Sequence, residues 1–240
     1  MDDFAITVTS NSAKSNCKKL EGIALELMSR AKEAAISFDI SKTELIHFYS
    51  KRTTIEEGLK LGDIEISPKP LVRWLGVFLD SKLTFKQHVE IKISKAKTAF
   101  YLIRRLGNTQ RGLSLQALRQ LYIACVTTIA DYGIQCWWKS KSRDYLLARY
   151  QSLQNEALKL VLGAFRGSPT QAMEIKASIP PPRIRFEKLC NSYALRILKF
   201  KENYVIKKAY IKEINKNREE LVTSSSSSPS PRNSTIRHLL

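Results

Sequence analysis

The chain has 240 residues, 43% of them hydrophobic, so it can bury a core in one large domain or two small ones. Forty basic against twenty-two acidic residues leave a net charge of +18, an excess that predicts a polyanionic partner, nucleic acid first among them. Cys17, Cys125, Cys136 and Cys190 stand at no metal-ligand spacing and there are only three histidines, which excludes a structural zinc site; no apolar run reaches membrane-spanning length and no signal peptide opens the chain. These features predict buried free thiols and an intracellular, nuclear or cytoplasmic protein that is neither secreted nor membrane-bound.

In chain order, residues 4–9 (FAITVT) read as a short strand by their β-branched content. From about Ser12 to Ala35 the period changes to that of a helix, with Leu20, Ile23, Leu27, Ala31 and Ala34 on one face. Residues 44–49 (ELIHFY) read as a strand again. LKL, DIEIS and LVRWLGVFL then predict short strands reversing at Gly62-Asp63 and Pro68-Lys69-Pro70. After Asp80 the pattern is helical. Thr84-Phe85-Lys86-Gln87 has the form of a capping box opening a helix to Leu106, ended by Gly107-Asn108. Further helices are predicted from Ser114 toward Gly133, over about 142–162 with a stop at Gly163, after the box Ser168-Pro169-Thr170-Gln171, over about 183–200, and more weakly over about 204–218. The Ser/Pro-rich end VTSSSSSPSPRNSTIRHLL lacks the composition for a core. The fold class expected is α+β, mostly α: a small, incomplete antiparallel sheet followed by a helical unit.

Four features carry chemistry. Asp2 and Asp3 are either a solvated terminus or part of a magnesium site; such a site needs carboxylates converging from several elements, and adjacent strand residues point to opposite faces. In the helix 85–106, Phe85, Val89, Ile93, Ala96, Phe100 and Ile103 form an apolar stripe. Lys86, Lys97 and Arg104 line one edge of it, either as a flank following a phosphate backbone or as a solvated face. In Arg73-Trp74-Leu75-Gly76-Val77 the glycine marks a bulge, a close approach by another strand, or packing within a buried hairpin. Tyr132, Trp137, Trp138 and Tyr145 either stack bases or pack at a helix end. His47, His88 and His238 do not group, and no glycine-rich phosphate loop is present.

Over about residues 1–200 these segments, in this order, resemble the C-terminal half of a non-LTR retrotransposon reverse transcriptase. MDDF resembles the tail of the family's aromatic-x-Asp-Asp turn, and SKTELIHF its Lys-Thr-Glu strand. VRWLGVFLD resembles the primer-grip hairpin centred on Leu75-Gly76. LTFKQHVEIKISKA, LRQLYIACVTTIADYGIQCWW and LQNEALKLVLGAFRGSPTQAMEIKASIPPPRIR resemble the thumb and the helical segment beyond it. The resemblance implies catalytic roles for Asp2, Asp3 and Lys42, magnesium on Asp2 and Asp3 in the parent enzyme, a primer grip at Trp74, Leu75 and Gly76, and nucleic-acid contacts at Arg73, Lys86, Lys97 and Arg104. It implies a residual palm over 1–80 and a helical thumb and connection over 81–200; beyond its reach, periodicity and composition predict a weak helix over 201–222 and a disordered tail over 223–240. The family's other metal-binding Asp and its fingers belong to a segment upstream of these motifs. The expectation is therefore a polymerase piece that binds RNA template and DNA primer, holds no magnesium tightly, is inactive alone and pairs with the missing upstream segment. The alternative is a non-catalytic basic helical module that binds RNA or DNA.

Overall fold

The computed structural model describes residues 4–49, 55–107, 112–138 and 144–224, with the side chains of the last helix described as far as residue 215. The protein is α+β and mostly helical, with two separate two-stranded antiparallel sheets among the described residues. It divides into two compact units, Met1–His88 and Val89–Leu240.

In the first unit, α1 (Ala13–Glu33) starts where the Ser12 hydroxyl accepts from the Ser15 N–H at 3.2 Å. Its inward face differs from the predicted one. Cys17 and Ala31 are buried and Leu20, Ala24 and Met28 pack beside them, whereas Ile23 is exposed. Cysteine at the first core position behaves as a small hydrophobe, and counting it rotates the stripe by about one residue. This face closes on Leu45, Leu59, Leu61 and Ile66. The Glu21 carboxylate also accepts the Lys60 N–H at 2.9 Å.

The first hairpin turns at the predicted reversal Gly62-Asp63, whereas LVRWLGVFL, read from its pattern as one strand, reverses at Leu75-Gly76, the hairpin that the resemblance implied. β1 (Leu59–Leu61) pairs with β2 (Ile64–Ile66) around Gly62, whose φ of 62° suits a tight turn that other residues resist. β3 (Leu71–Trp74) pairs with β4 (Val77–Asp80) in the register Arg73↔Phe78 and Trp74↔Val77. Two predicted strands do not form. Phe4–Thr9 carries no ladder, and residues 44–49 contribute an isolated bridge from Leu45 to Pro68 and a single bond from the Tyr49 N–H to Ser81 O at 3.1 Å. β-branched content favours a pleated conformation, but a strand exists only where a second strand completes its hydrogen bonds.

α2 (Lys86–Gly107) crosses the boundary between the units. Its start is organised by Asp80, a residue outside the predicted capping box. One Asp80 oxygen accepts the Thr84 N–H and hydroxyl at 2.9 and 3.0 Å, and the other accepts the Phe85 N–H at 2.8 Å. The Thr84 hydroxyl is thus a donor to a carboxylate, a stronger bond than a neutral cap provides. The six residues of the predicted stripe, Phe85 to Ile103, are all buried.

In the second unit, α3 (Leu115–Leu121) is capped by Ser114 and passes into a π-helical turn, Tyr122–Thr127, then α4 (Thr128–Ala130). The wider π turn leaves carbonyls poorly served. The Thr127 hydroxyl donates to Ile123 O and the Thr128 hydroxyl to Ala124 O, both at 2.7 Å. A left-handed Gly133 turns the chain into α5 (Ile134–Trp137).

α6 (Asp144–Leu162) ends as predicted at Gly163: Gly163 N–H donates to Leu160 O and Ala164 N–H to Lys159 O, a Schellman closure. α7 (Thr170–Ala177) departs from the predicted capping box. Pro169 takes the cap position and supplies no side-chain bond, and the helix stops at a left-handed Ser178, ahead of the run Pro180-Pro181-Pro182. Pro182 opens α8 (Pro182–Leu198), where its missing N–H has no cost; α9 (Val205–Ser224) follows.

Candidate nucleic-acid interface

The tip of the β3–β4 hairpin is a two-residue turn, Leu75-Gly76, with positive φ at both positions, 44° and 78°. This pattern is the type I′ turn that matches strand twist, and glycine suits its second position. Leucine does not suit the first: its Cβ crowds the following carbonyl in the left-handed region. Leu75 is nevertheless 61% exposed at the tip, so the hairpin is not the buried one that the glycine alone permitted. Trp74 behind it is half-buried, and the exposed Arg73 sits with its guanidinium carbon 6.0 Å from the Phe78 ring centroid. The hairpin is fixed to the first turn of α2 by His88. Its ring is fully buried, and its Nδ1 accepts the Phe78 N–H at 3.1 Å, which puts the ring proton on Nε2.

On α2, Lys86 and Arg104 are exposed and Lys97 is half-buried. One acid tempers part of this flank, Arg104 lying 3.8 Å from Glu156, whereas Glu90 on the same helix lies 3.7 Å from Arg149. Lys92 sits 3.9 Å above the Tyr132 ring centroid, a close cation–π contact.

Lys42 lies in a short 3-10 turn, Ile40–Lys42, rather than on a strand; its side chain is 83% exposed and pairs with Asp39 at 3.1 Å. The Ser41 hydroxyl and the Lys42 ammonium hold the Asp39 carboxyl below its usual range. Asp2 and Asp3 lie outside the described residues. Among the described residues no three His, Cys, Asp or Glu side chains converge on a metal-sized site. Magnesium, implied for the parent enzyme by the resemblance, finds no ligand set among them.

The aromatic group divides. Trp137 and Trp138 are buried with Tyr150 and Phe186, the last two ring centroids being 4.7 Å apart and edge to face. They form core, not a stacking surface. Tyr132 and Tyr145 are exposed. Of the four thiols, Cys17 alone is buried by exposure, while Cys125 and Cys136 are at the surface.

Beneath the second unit's surface is a polar network that no sequence motif announces. Two Arg185 nitrogens grip the Asp131 carboxylate, the Nη2–Oδ1 bond being 3.1 Å. Arg185 Nη1 also donates to Gln154 Oε1. The Gln154 amide donates to Glu174 at 2.8 Å and to Pro180 O at 3.1 Å, and Gln151 donates to Glu174 at 2.9 Å. The available signal was a polar residue on a core stripe: Gln154 sits among Tyr150, Leu153, Ala157, Leu158 and Val161 on the buried face of α6. Burial pushes the Asp131 carboxyl up, with the Arg185 guanidinium pulling against it. Burial likewise pushes Tyr122 up to about 12, and Tyr150 further in the same direction.

With this geometry in place, comparison with known proteins finds distant relatives. The chain is distantly homologous to reverse transcriptases of non-LTR retrotransposons over a segment of their length. It is 27% identical over 161 residues to the probable RNA-directed DNA polymerase from transposon BS of Drosophila melanogaster, an alignment that covers 67% of this chain and 18% of that protein. It is 26% identical over 162 residues to the probable RNA-directed DNA polymerase from transposon X-element of the same species, covering 68% and 18%. A retrovirus-related Pol polyprotein from type-1 retrotransposable element R1 4 of Nasonia vitripennis is 23% identical over 215 residues, covering 81% and 54%. The chain therefore spans under a fifth of the first two relatives and about half of the third. No family model matches, and no solved structure matches. No helix among the described residues is long and apolar enough to cross a membrane.

Proposed function

We propose that the chain is a primer–template-binding segment of a non-LTR retrotransposon reverse transcriptase, an RNA-directed DNA polymerase. The Trp74-Leu75-Gly76 tip acts as the primer grip, Arg73 adds a cation beside it, and Lys86, Lys97 and Arg104 follow a phosphate backbone. Lys42, displayed on its 3-10 turn, is the cation offered to an incoming nucleotide in the complete enzyme, with Asp2 and Asp3 as its magnesium-binding carboxylates. The first unit corresponds in this reading to residual palm and the second to thumb.

The observation that carries the proposal is the exposed Leu75 held at a φ leucine disfavours. A backbone cost of this kind persists where a site uses the resulting shape. Here the shape is a small apolar knob that slides against sugar and base edges without fixing one sequence. The distant homology and the charge of +18 support a nucleic-acid partner.

The test is binding of the full chain to a primer–template duplex at a series of salt concentrations. Steep salt dependence, with affinity lowered by Leu75→Asn, is the expected result. Salt-independent or absent binding overturns the reading, and binding untouched by Leu75→Asn overturns the role of the tip.

A further inference from the structure

We infer that Phe165, on the loop between α6 and α7, is a stacking platform for an unpaired base, with Arg166 beside it taking a neighbouring phosphate. The inference rests on the nucleic-acid reading above and extends it to a second contact of different chemistry.

Phe165 is 88% exposed, the most exposed large apolar side chain among the described residues. A phenyl ring left in water forgoes the burial free energy that the aromatics of the same unit collect, so the fold gains nothing from it in this position. Its loop is nonetheless built. Behind it, Gly163 at a φ of 61° completes the Schellman closure, with Ala164 N–H bonded to Lys159 O at 2.9 Å. Ahead of it, the Ser168 N–H donates to the Phe165 carbonyl at 3.2 Å, closing a turn over Arg166 and Gly167. The ring is thus presented from a backbone pinned on both sides, which lowers the ordering cost of a contact made there.

The electrostatics select the occupant. Arg166 is exposed and no acidic group pairs with it among the described residues, unlike Arg104, Arg149 and Arg183. No acid occurs in the sequence between Glu156 and Glu174. Glu174 is on α7, but its carboxylate is turned inward and held by Gln151 and Gln154. Lys176 on the same helix remains exposed. A bare aromatic face beside the exposed Arg166, for which no acidic partner is found among the described residues, fits a π-faced, anionic ligand: single-stranded nucleic acid. An apolar protein partner would not need the acid withdrawn.

The experiment uses the full chain and two probes of equal duplex length: a blunt duplex, and one carrying a single-stranded template overhang. Phe165→Ala is expected to weaken overhang binding about 5- to 150-fold, the range for one base–aromatic stack, and to leave the blunt duplex and the salt slope unchanged. Phe165→Trp retains overhang binding. Arg166→Ala lowers the salt slope by about one unit. If Phe165→Ala binds both probes as the parent does, or loses both equally, the platform is refuted while the nucleic-acid reading stands. If the parent binds neither probe in a salt-dependent way, both are refuted. Far-UV circular dichroism of each variant distinguishes removal of the stack from unfolding.

Discussion

Arg185 and Asp131 meet across 54 residues of chain as a bidentate pair, with their side chains only 14% and 7% exposed. The pair joins α8 to the segment following the π turn, and through Gln154 it reaches α6 and the start of the Pro180 bend. Four segments are fixed to one another by groups whose polar atoms find their partners inside the unit. Such a network is secure when complete and costly when broken.

Removing one member leaves a buried charge uncompensated. Asp131→Ala and Arg185→Ala are each expected to destabilise the second unit by about 3–5 kcal/mol. Asp131→Val combined with Arg185→Met, which removes both charges and stays near the original volume, is expected to recover part of that loss, the remainder being the donor that Gln154 Oε1 no longer has. Urea unfolding followed by circular dichroism decides; equal losses in single and double variants would mean that packing, not the uncompensated charge, sets the cost.

The Leu75 turn trades stability for shape. Leu75→Asn supplies the Asn-Gly pair that a type I′ turn prefers and is expected to stabilise the hairpin by about 1 kcal/mol. The same change should lower affinity for primer–template duplex. A variant that is less stable, or more stable and equally tight, would contradict the trade.

The α2 flank makes a salt-slope prediction. Lys86→Ala, Lys97→Ala and Arg104→Ala together should lower the slope of log K against log salt by about one unit for each phosphate that is no longer neutralised. Glu156 competes for Arg104 at 3.8 Å, so Glu156→Gln should tighten binding roughly two- to five-fold, the worth of an exposed ion pair. An unchanged slope in the triple variant would remove this flank from the interface.

Tyr122 and Tyr150 predict alkaline sensitivity. An unfolded tyrosine loses its proton near about 10. Folded Tyr122 keeps its proton up to about 12 because burial disfavours the phenolate, and Tyr150 is shifted further the same way. Their contribution is complete below the unfolded value and is lost as pH rises through the folded one, because the unfolded state then binds fewer protons. Stability should fall steadily above about pH 10, and tyrosinate absorbance should show two late-titrating rings whose ionisation coincides with unfolding. The Tyr150 hydroxyl is buried without a hydrogen-bond partner among the described residues. Tyr150→Phe should therefore be neutral or stabilising and should reduce the alkaline loss.

The sequence by itself determined what depends on near neighbours along the chain. The α2 stripe from Phe85 to Ile103, the reversal at Gly62 and the Gly163 stop follow from helical period, turn chemistry and left-handed φ, all set within a few residues. Tertiary structure decided what depends on partners far away. Phe4–Thr9 has strand composition but no ladder, Cys17 rather than Ile23 faces the core, and Asp131 is neutralised by a residue on another helix. Exposure is likewise a tertiary property: Trp137 and Phe165 are both aromatic residues near helix ends, yet one is core and the other is bare. The physical reason is that burial, pairing and charge compensation are made between segments, and a local pattern does not name the segment that will arrive.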